Sequence, residues 1–270
     1  MSAPLPWHCP LCRQPLTQDP ARWHCPAGHS FDVAREGYVN LLPVQFKHSR
    51  DPGDRPESLL ARRAFLAAGH YAPLRRAVAD WVSARAPRRL LDVGCGEGDY
   101  TAALQAEGRA VAGLDIAKPA LRLAARRHPG PQWLVASNAQ LPLPDASLEA
   151  VVTLFTPLVP AELARVLAPG GALLVVTPGA DHLLSLREQL FERIEPHRPE
   201  KFLSALEGAF RAEAPIELTV DLELSATALD QLLTMTPYAW KARPERLQAL
   251  RARPGLSTRA VFSLLGLRRL

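Results

Sequence analysis

The chain has 270 residues, 47% of them hydrophobic, enough to bury one substantial core with a small appendage. It holds no run of about 18 apolar residues, and its start, MSAPLPWHCPLC, lacks the charged-then-apolar order of a secretory signal, so a cytoplasmic protein is expected. The formal net charge of +5 suits an anionic partner without requiring one, and it is uneven: residues 37–76 carry seven cations against three anions, whereas residues 1–36 balance.

The first 36 residues have no apolar periodicity long enough for a self-supporting core and are rich in turn formers, so a segment this small needs a staple. CPLCRQPLTQDPARWHCPAGH supplies one. Cys9-x2-Cys12 and Cys25-x3-His29 form two knuckles able to close a tetrahedral site. Thiolate and imidazole suit Zn²⁺, and in a reducing compartment clustered cysteines are metal ligands before they are disulfides. Four protein ligands leave no open position, so the ion scaffolds rather than catalyses. His8 and His24 are rival fourth ligands; His29 is preferred because the second knuckle needs a gap to wrap the ion.

Residues 37–56 read as an extended linker broken by a DPGD turn. At Asp54 a helix can start, with Pro56 in its first turn and Glu57 in capping-box register, and run to about Gly69; a second follows to about Arg85. From Arg89 short β-branched or leucine-rich runs alternate with helical ones. Strands are predicted at 89–93, 110–114, 132–136, 148–155 and 172–177, with helices at 100–106, 119–127 and 161–167 between them. A helix at 182–194, a strand at 216–225, a helix at 226–235 and a last strand at 257–269 complete an α/β, doubly wound, mostly parallel sheet of seven strands.

LLDVGCGEGDY sets Asp92, Gly94, Gly96 and Gly98 at alternate positions, with Glu97 inside the loop, directly after the first strand of this series. Glycines there let backbone N–H groups approach a ligand, although an ordinary tight turn looks the same. Asp115 closes the next strand, where an acid can accept both hydroxyls of a ribose, and Asn138 and Ala139 follow the third, suited to an adenine edge. NAD dehydrogenases share this arrangement but show G-x-G-x-x-G. An acid followed by G-x-G-x-G instead resembles the class I S-adenosylmethionine-dependent methyltransferases, as does VLAPGGALLVVTPG. That resemblance implies a Rossmann-like fold, glycines packed under the methionine moiety, Asp92 facing the sulfonium end and Asp115 on the ribose. Cys95, inside the loop, is read as a small buried residue rather than a nucleophile.

The combination of the CPLC and CPAGHSFDVAREGYVNLLPVQFKHSRDPGD segments with ARRAFLAAGHYAPL, LDVGCGEGDY, TPGADHL and MTPYAW resembles the bacterial 23S rRNA guanine-N1 methyltransferases of the RlmA family, across almost the whole chain. The linker resembles its Gram-negative branch. The resemblance implies methylation at N1 of a guanine in a hairpin loop of domain II, a zinc-ribbon-like domain over 1–36 that helps hold the RNA, a basic linker with helices over 37–85 and a methyltransferase domain over 86–270. It further places Tyr71 and His182 at the cofactor and makes a homodimer an expectation.

RNA loops are read by bases stacked on aromatic rings while cations track phosphates. Tyr238 and Trp240 are candidates for the stack, with core packing as their alternative; His48 and the Arg62–Arg63 pair are candidates for the cations, with a solvated face as theirs. Phe155-Thr156-Pro157-Leu158 is not the N/D-P-P-Y clamp for an exocyclic amine. No general base is identifiable. The knuckles are pictured as a paddle on a basic tether. Rival functions are a class I methyltransferase for tRNA or a small molecule, and a non-catalytic cofactor-binding RNA-binding protein.

Overall fold

The computed structural model describes residues 4–43, 45 and 53–270. Lys47, His48 and Arg50 of the linker lie outside them.

The knuckles frame a small antiparallel sheet of β1 (Thr17–Gln18), β2 (Arg22–His24) and β3 (Ser30–Asp32). Tyr38–Asn40, read from the sequence as linker, is β4 and hydrogen-bonds in parallel to the edge of the main sheet. Its pattern is only three residues long, too short for a periodicity signal.

Two helices follow, α1 (Pro56–Ala67) and α2 (Ala72–Ser83). The expected capping box does not form at α1. Arg55 is the N-cap, with no side-chain cap, because the Asp54 carboxylate instead accepts from Arg62 two turns along.

The sheet proper consists of β5 (Arg89–Val93), β6 (Ala110–Asp115), β7 (Gln132–Val135), β8 (Leu148–Leu154) and β9 (Leu167–Pro178), all parallel. Helices α3 (Asp99–Ala103), α4 (Lys118–Arg127) and α5 (Pro160–Val166) cross between them. Then come α6 (Leu184–Leu190), α7 (Glu200–Leu206), β10 (Phe210–Ala212), β11 (Ile216–Ser225), α8 (Ala226–Met235), α9 (Tyr238–Lys241), α10 (Pro244–Arg251) and β12 (Gly255–Arg269). The helix expected over 182–194 is therefore cut to seven residues, and α7, α9 and α10 were not foreseen.

Strand order is β10-β12-β9-β8-β5-β6-β7-β4, with β11 also paired to β12. The expected seven strands are present as β5–β9, β11 and β12. Among the described residues the sheet has nine, because β4 and β10 extend it. β12 pairs antiparallel with β9, β10 and β11, and its 15 residues are long enough to serve all three.

Both faces of the sheet are covered, as its near-continuous apolar strands require. On one face Leu90, Val152 and Leu174 pack with Phe65 and Leu74 of α1 and α2 and Leu232 of α8. On the other, Leu91, Leu114 and Leu134 share a buried cluster with Leu5, Trp7, Leu16 and Trp23.

The knuckles are thus not a paddle on a free tether. Trp7 donates its indole N–H to Gln132 (3.0 Å), Gln132 donates to Gln18 (2.7 Å), and the His8 amide donates to Pro142 O (2.9 Å). A segment too small for a core of its own has taken one from the sheet.

Trp7→Ala is accordingly expected to destabilise the whole chain by about 3–5 kcal/mol. Denaturant unfolding followed by circular dichroism and by fluorescence should show one shifted, coincident transition; a separate early step confined to the N-terminal segment would contradict the shared core.

Candidate functional site

The metal tetrad assembles as its spacing predicts. The ligand atoms of Cys9, Cys12, Cys25 and His29 all lie within 4.8 Å of one another. His29 Nδ1 is 3.6 Å from Cys9 Sγ and 3.4 Å from Cys25 Sγ, and Cys12 Sγ is 3.5 Å from Cys25 Sγ. A tetrahedral zinc site with its usual bond lengths spaces its ligand atoms roughly 3.5–3.8 Å apart, whereas a disulfide needs about 2.05 Å. The set fits the ion. Burial raises both Cys9 and Cys25, but contacts from Cys12 and His29 reverse this at Cys25 and bring it down to about 6. Of the rivals, His24 faces Asp19 at 3.3 Å and His8 is bridged to Pro15; neither joins the tetrad.

The glycine loop lies at the carboxyl end of β5, where the strand order reverses between β6 and β8. Gly94 has φ +78°, and a Cβ there would stand 2.0 Å from Thr156 Oγ1; at Gly98, φ +81°, it would stand 2.4 Å from the Trp133 ring. Only glycine meets both demands. The Asp115 carboxylate accepts from the amides of Gly96 (2.9 Å) and Ala117 (2.8 Å), which fixes it beside the loop.

Among the described residues, several polar atoms around this loop are buried without a hydrogen-bond partner: Asp92 Oδ1, both Glu97 carboxylate oxygens, Tyr100 Oη and Thr153 Oγ1. Such groups carry a desolvation cost of about 1–3 kcal/mol each, more when charged. A polar, cationic ligand would relieve it, and S-adenosylmethionine, with its ammonium and sulfonium, has that chemistry. Burial pushes Asp92 up to about 7, opposed by the Thr101 hydroxyl (2.6 Å) and reinforced by Asp115. Burial likewise raises Asp115 and Glu97. Cys95 is buried in the Trp133 cluster and burial drives its thiol well up, so it is a packing residue, as expected.

Tyr71 and His182, 111 positions apart, converge on one ring. Phe262 of β12 lies 5.0 Å from each. His182 donates Nδ1–H to Val261 O (2.7 Å), which leaves Nε2 with a lone pair, and burial lowers its pKa to about 4. Asn138 donates to Pro157 O (2.8 Å), tying the loop after β7 to the one after β8, and Ala139 donates its amide to Ser137 Oγ (3.1 Å) within the first of these loops.

Three participants escaped sequence reasoning. Tyr100, two residues past Gly98, could have been found from its place at the loop. Thr153 gave no signal within its apolar strand. Arg62 was noted only as linker charge, yet it lies over the loop, 3.6 Å from Glu97, and it holds Asp54 as well. Arg75 grips Asp99 with both contacts near 3.1–3.2 Å, so α1 and α2 are both fastened to the loop and its helix. Tyr238 and Trp240 part company. Tyr238 packs against the core with its hydroxyl 2.8 Å from His197 Nε2, while Trp240 is 64% exposed, with Arg55 5.0 Å from its ring centroid.

The zinc-ribbon family "RlmA, N-terminal" matches residues 7–50 and the methyltransferase domain family matches 91–175. The 23S rRNA (guanine(748)-N(1))-methyltransferase of Streptomyces fradiae is 38% identical over 88% of this chain and 87% of its own. A Micromonospora griseorubida protein provisionally named a 23S rRNA (guanine-N(1)-)-methyltransferase is 40% identical over 89% of both. The chain belongs to the RlmA family.

Bacillus subtilis YxjB, provisionally named for the same activity, is 31% identical over 91% of this chain and 90% of its own. A provisionally assigned methyltransferase structure from Bacillus halodurans superposes with a TM-score of 0.51 at 17% identity, covering 71% of this chain and 97% of that one, which establishes the shared fold. As an RlmA protein the chain is a class I methyltransferase that uses S-adenosylmethionine and carries a zinc ribbon. No helix among the described residues is long and apolar enough to cross a membrane.

Two outcomes test this site. Below about pH 7 Asp92 holds a proton, and a cationic cofactor favours the ionised form. Affinity for S-adenosylmethionine, measured by calorimetry, should therefore fall as pH drops through 7, by up to tenfold per unit, and Asp92→Asn should flatten that slope. Removing zinc with a chelator should lower the Tm of the entire chain, because Cys9 and Cys25 belong to the buried cluster that also holds Leu91 and Leu134; an unchanged Tm with zinc lost would refute the coupling.

Proposed function

We propose that the chain methylates N1 of a guanine in a hairpin loop of domain II of 23S rRNA, in the cytoplasm, with S-adenosylmethionine as donor. The observation that carries this is continuity: the match to the S. fradiae enzyme runs through 88% of the chain and so takes in both the ribbon and the glycine loop. A small-molecule enzyme has no need of the ribbon.

In this reading Gly94, Gly96, Glu97 and Gly98 enclose the methionine end, Asp92 faces the sulfonium and Asp115 takes the ribose hydroxyls. Asn138 and Ala139 meet the adenine edge, while Tyr71 and His182 close the side formed by Phe262. When bound, S-adenosylmethionine would supply a methyl carbon already activated by positive sulfur, and guanine N1 would give up its proton to water. What remains for the chain is to hold the guanine in line, which supplies most of the acceleration when geometry is well fixed. The buried carboxylates around the loop, with Asp92 Oδ1 and the Glu97 oxygens lacking hydrogen bonds among the described residues, favour a cation there and disfavour competing anions.

On the RNA side, Trp240 is the exposed stacking surface and Arg55 beside it is placed for phosphate. Tyr238 is instead engaged by His197 and Phe191 (6.3 Å) and does not offer its own face. The ribbon, locked to the β7 edge through β4, presents a fixed surface rather than a swinging arm. Pairing of two copies into a larger cleft is part of the proposal and is read by light scattering.

Methyl at guanine N1 blocks Watson–Crick pairing, so reverse transcription across 23S rRNA should stall at one guanine and lose that stall when the gene is deleted. A stall at guanine 748 places the chain with the S. fradiae relative, and a neighbouring guanine with the branch its linker resembles. Unchanged stalls throughout 23S rRNA would overturn the proposal.

A further inference from the structure

Phe155 is left unexplained by the fold and by the cofactor site. It follows β8 directly, two residues beyond Thr153, and β8 pairs with β5, which feeds the glycine loop. Its neighbour Thr156 is the residue against which Gly94 packs, so Phe155 stands one residue from the cofactor loop.

Two costs are paid at this position. The backbone has φ +56°, the left-handed region that a bulky aromatic residue rarely adopts, and the side chain is 48% exposed. An aromatic ring gains from burial, and strain of this kind persists where the surroundings impose it and clusters at ligand sites. The backbone is held there by the Phe155 amide, which donates to Val176 O of β9 (3.0 Å). From beneath, the ring meets Phe262 at 5.9 Å, the same ring that receives Tyr71 and His182. The cofactor-side aromatic cluster therefore ends in one half-exposed ring at the carboxyl edge of the sheet. No hydrogen-bonding side chain of the N/D-P-P-Y type accompanies it; Thr156 Oγ1 donates back to Leu154 O (3.1 Å).

We propose that Phe155 is the platform on which the target guanine stacks while its N1 faces the cofactor's methyl group. A ring supplies area and a π face without reading base identity, so its work is to fix the plane of a base extruded from the loop. This makes Phe155 a substrate-contacting residue distinct from Trp240, which lies out among the exposed residues of α9 beside Arg55. The inference rests on the guanine-N1 function proposed above.

The test compares Phe155→Ala, Phe155→Trp and Phe155→Gly on a transcript of 23S rRNA domain II. Phe155→Ala should lower kcat/KM roughly 5- to 150-fold, the range of base–aromatic stacking, with cofactor affinity by equilibrium dialysis within about twofold of wild type. Phe155→Trp should restore most of the rate. Phe155→Gly, which relieves the backbone, should keep or raise the Tm while losing the rate, separating a stacking role from a packing one. With 2-aminopurine in place of the target guanine, the bound complex should fluoresce more brightly with Phe155→Ala than with wild type, because the stacking quencher is gone.

Undiminished kcat/KM in Phe155→Ala, or a parallel fall in cofactor affinity, overturns the inference alone. A wild-type enzyme inactive on every rRNA transcript overturns the function it rests on as well.

Discussion

Gly94 lies so close to the Thr156 hydroxyl that one added methyl group would not fit, and much of the site follows from that contact. It holds the end of β5 against the end of β8, bringing the loop proposed to receive the cofactor beside the segment that begins with Phe155. Asp92, paired with Val152, and Thr153, paired with Val93, are buried there on opposite faces of the sheet, each with a polar atom unpaired among the described residues. A loop built with side chains would have had to stand off, and the gap would have admitted water to those groups.

Charge is sorted around this point by depth. Carboxylates dominate the interior of the loop, and the cations sit on the helices that cover it: Arg62 on α1 over Glu97, Arg75 on α2 on Asp99. Glu97 has both oxygens buried and lies 3.6 Å from Arg62, too long for a hydrogen bond, so its charge is balanced without being satisfied. Buried acids raised toward neutrality, as Asp92 is, suit a ligand that brings positive charge with it.

The ribbon and the methyltransferase sheet are mechanically one body. The zinc ion orders a segment too short to fold on its own, and the ordered segment then covers a face of the sheet through Leu5, Trp7, Leu16 and Trp23. Its hydrogen bonds to Gln132 and to Pro142 O fix its orientation as well as its position. A rigid junction suits a structured RNA, since the distance between a docking surface and the reacting base must stay constant for in-line transfer.

The local code was legible: the knuckle spacing, the Asp92–Gly98 loop, Asp115 at the end of its strand and the alternation of parallel strands with helices all depend on residues close in the chain. Short elements such as β4, β10 and α9 were not legible, because three or four residues carry no period. The capping box expected at Asp54 is absent, and the same carboxylate is taken by Arg62, eight residues on in α1. The sequence by itself determined the three cysteine ligands and the glycine loop, since each is written in spacing along one stretch, and the family through motifs spread along the chain. Only the tertiary structure decided that His29 rather than His8 or His24 completes the tetrad, that the ribbon shares the sheet's core, and that Tyr71, His182 and Phe155 meet around Phe262. Those outcomes hinge on which side chains are buried against which partners, from 20 positions apart at Cys9 and His29 to 191 at Tyr71 and Phe262, a choice made by packing in three dimensions.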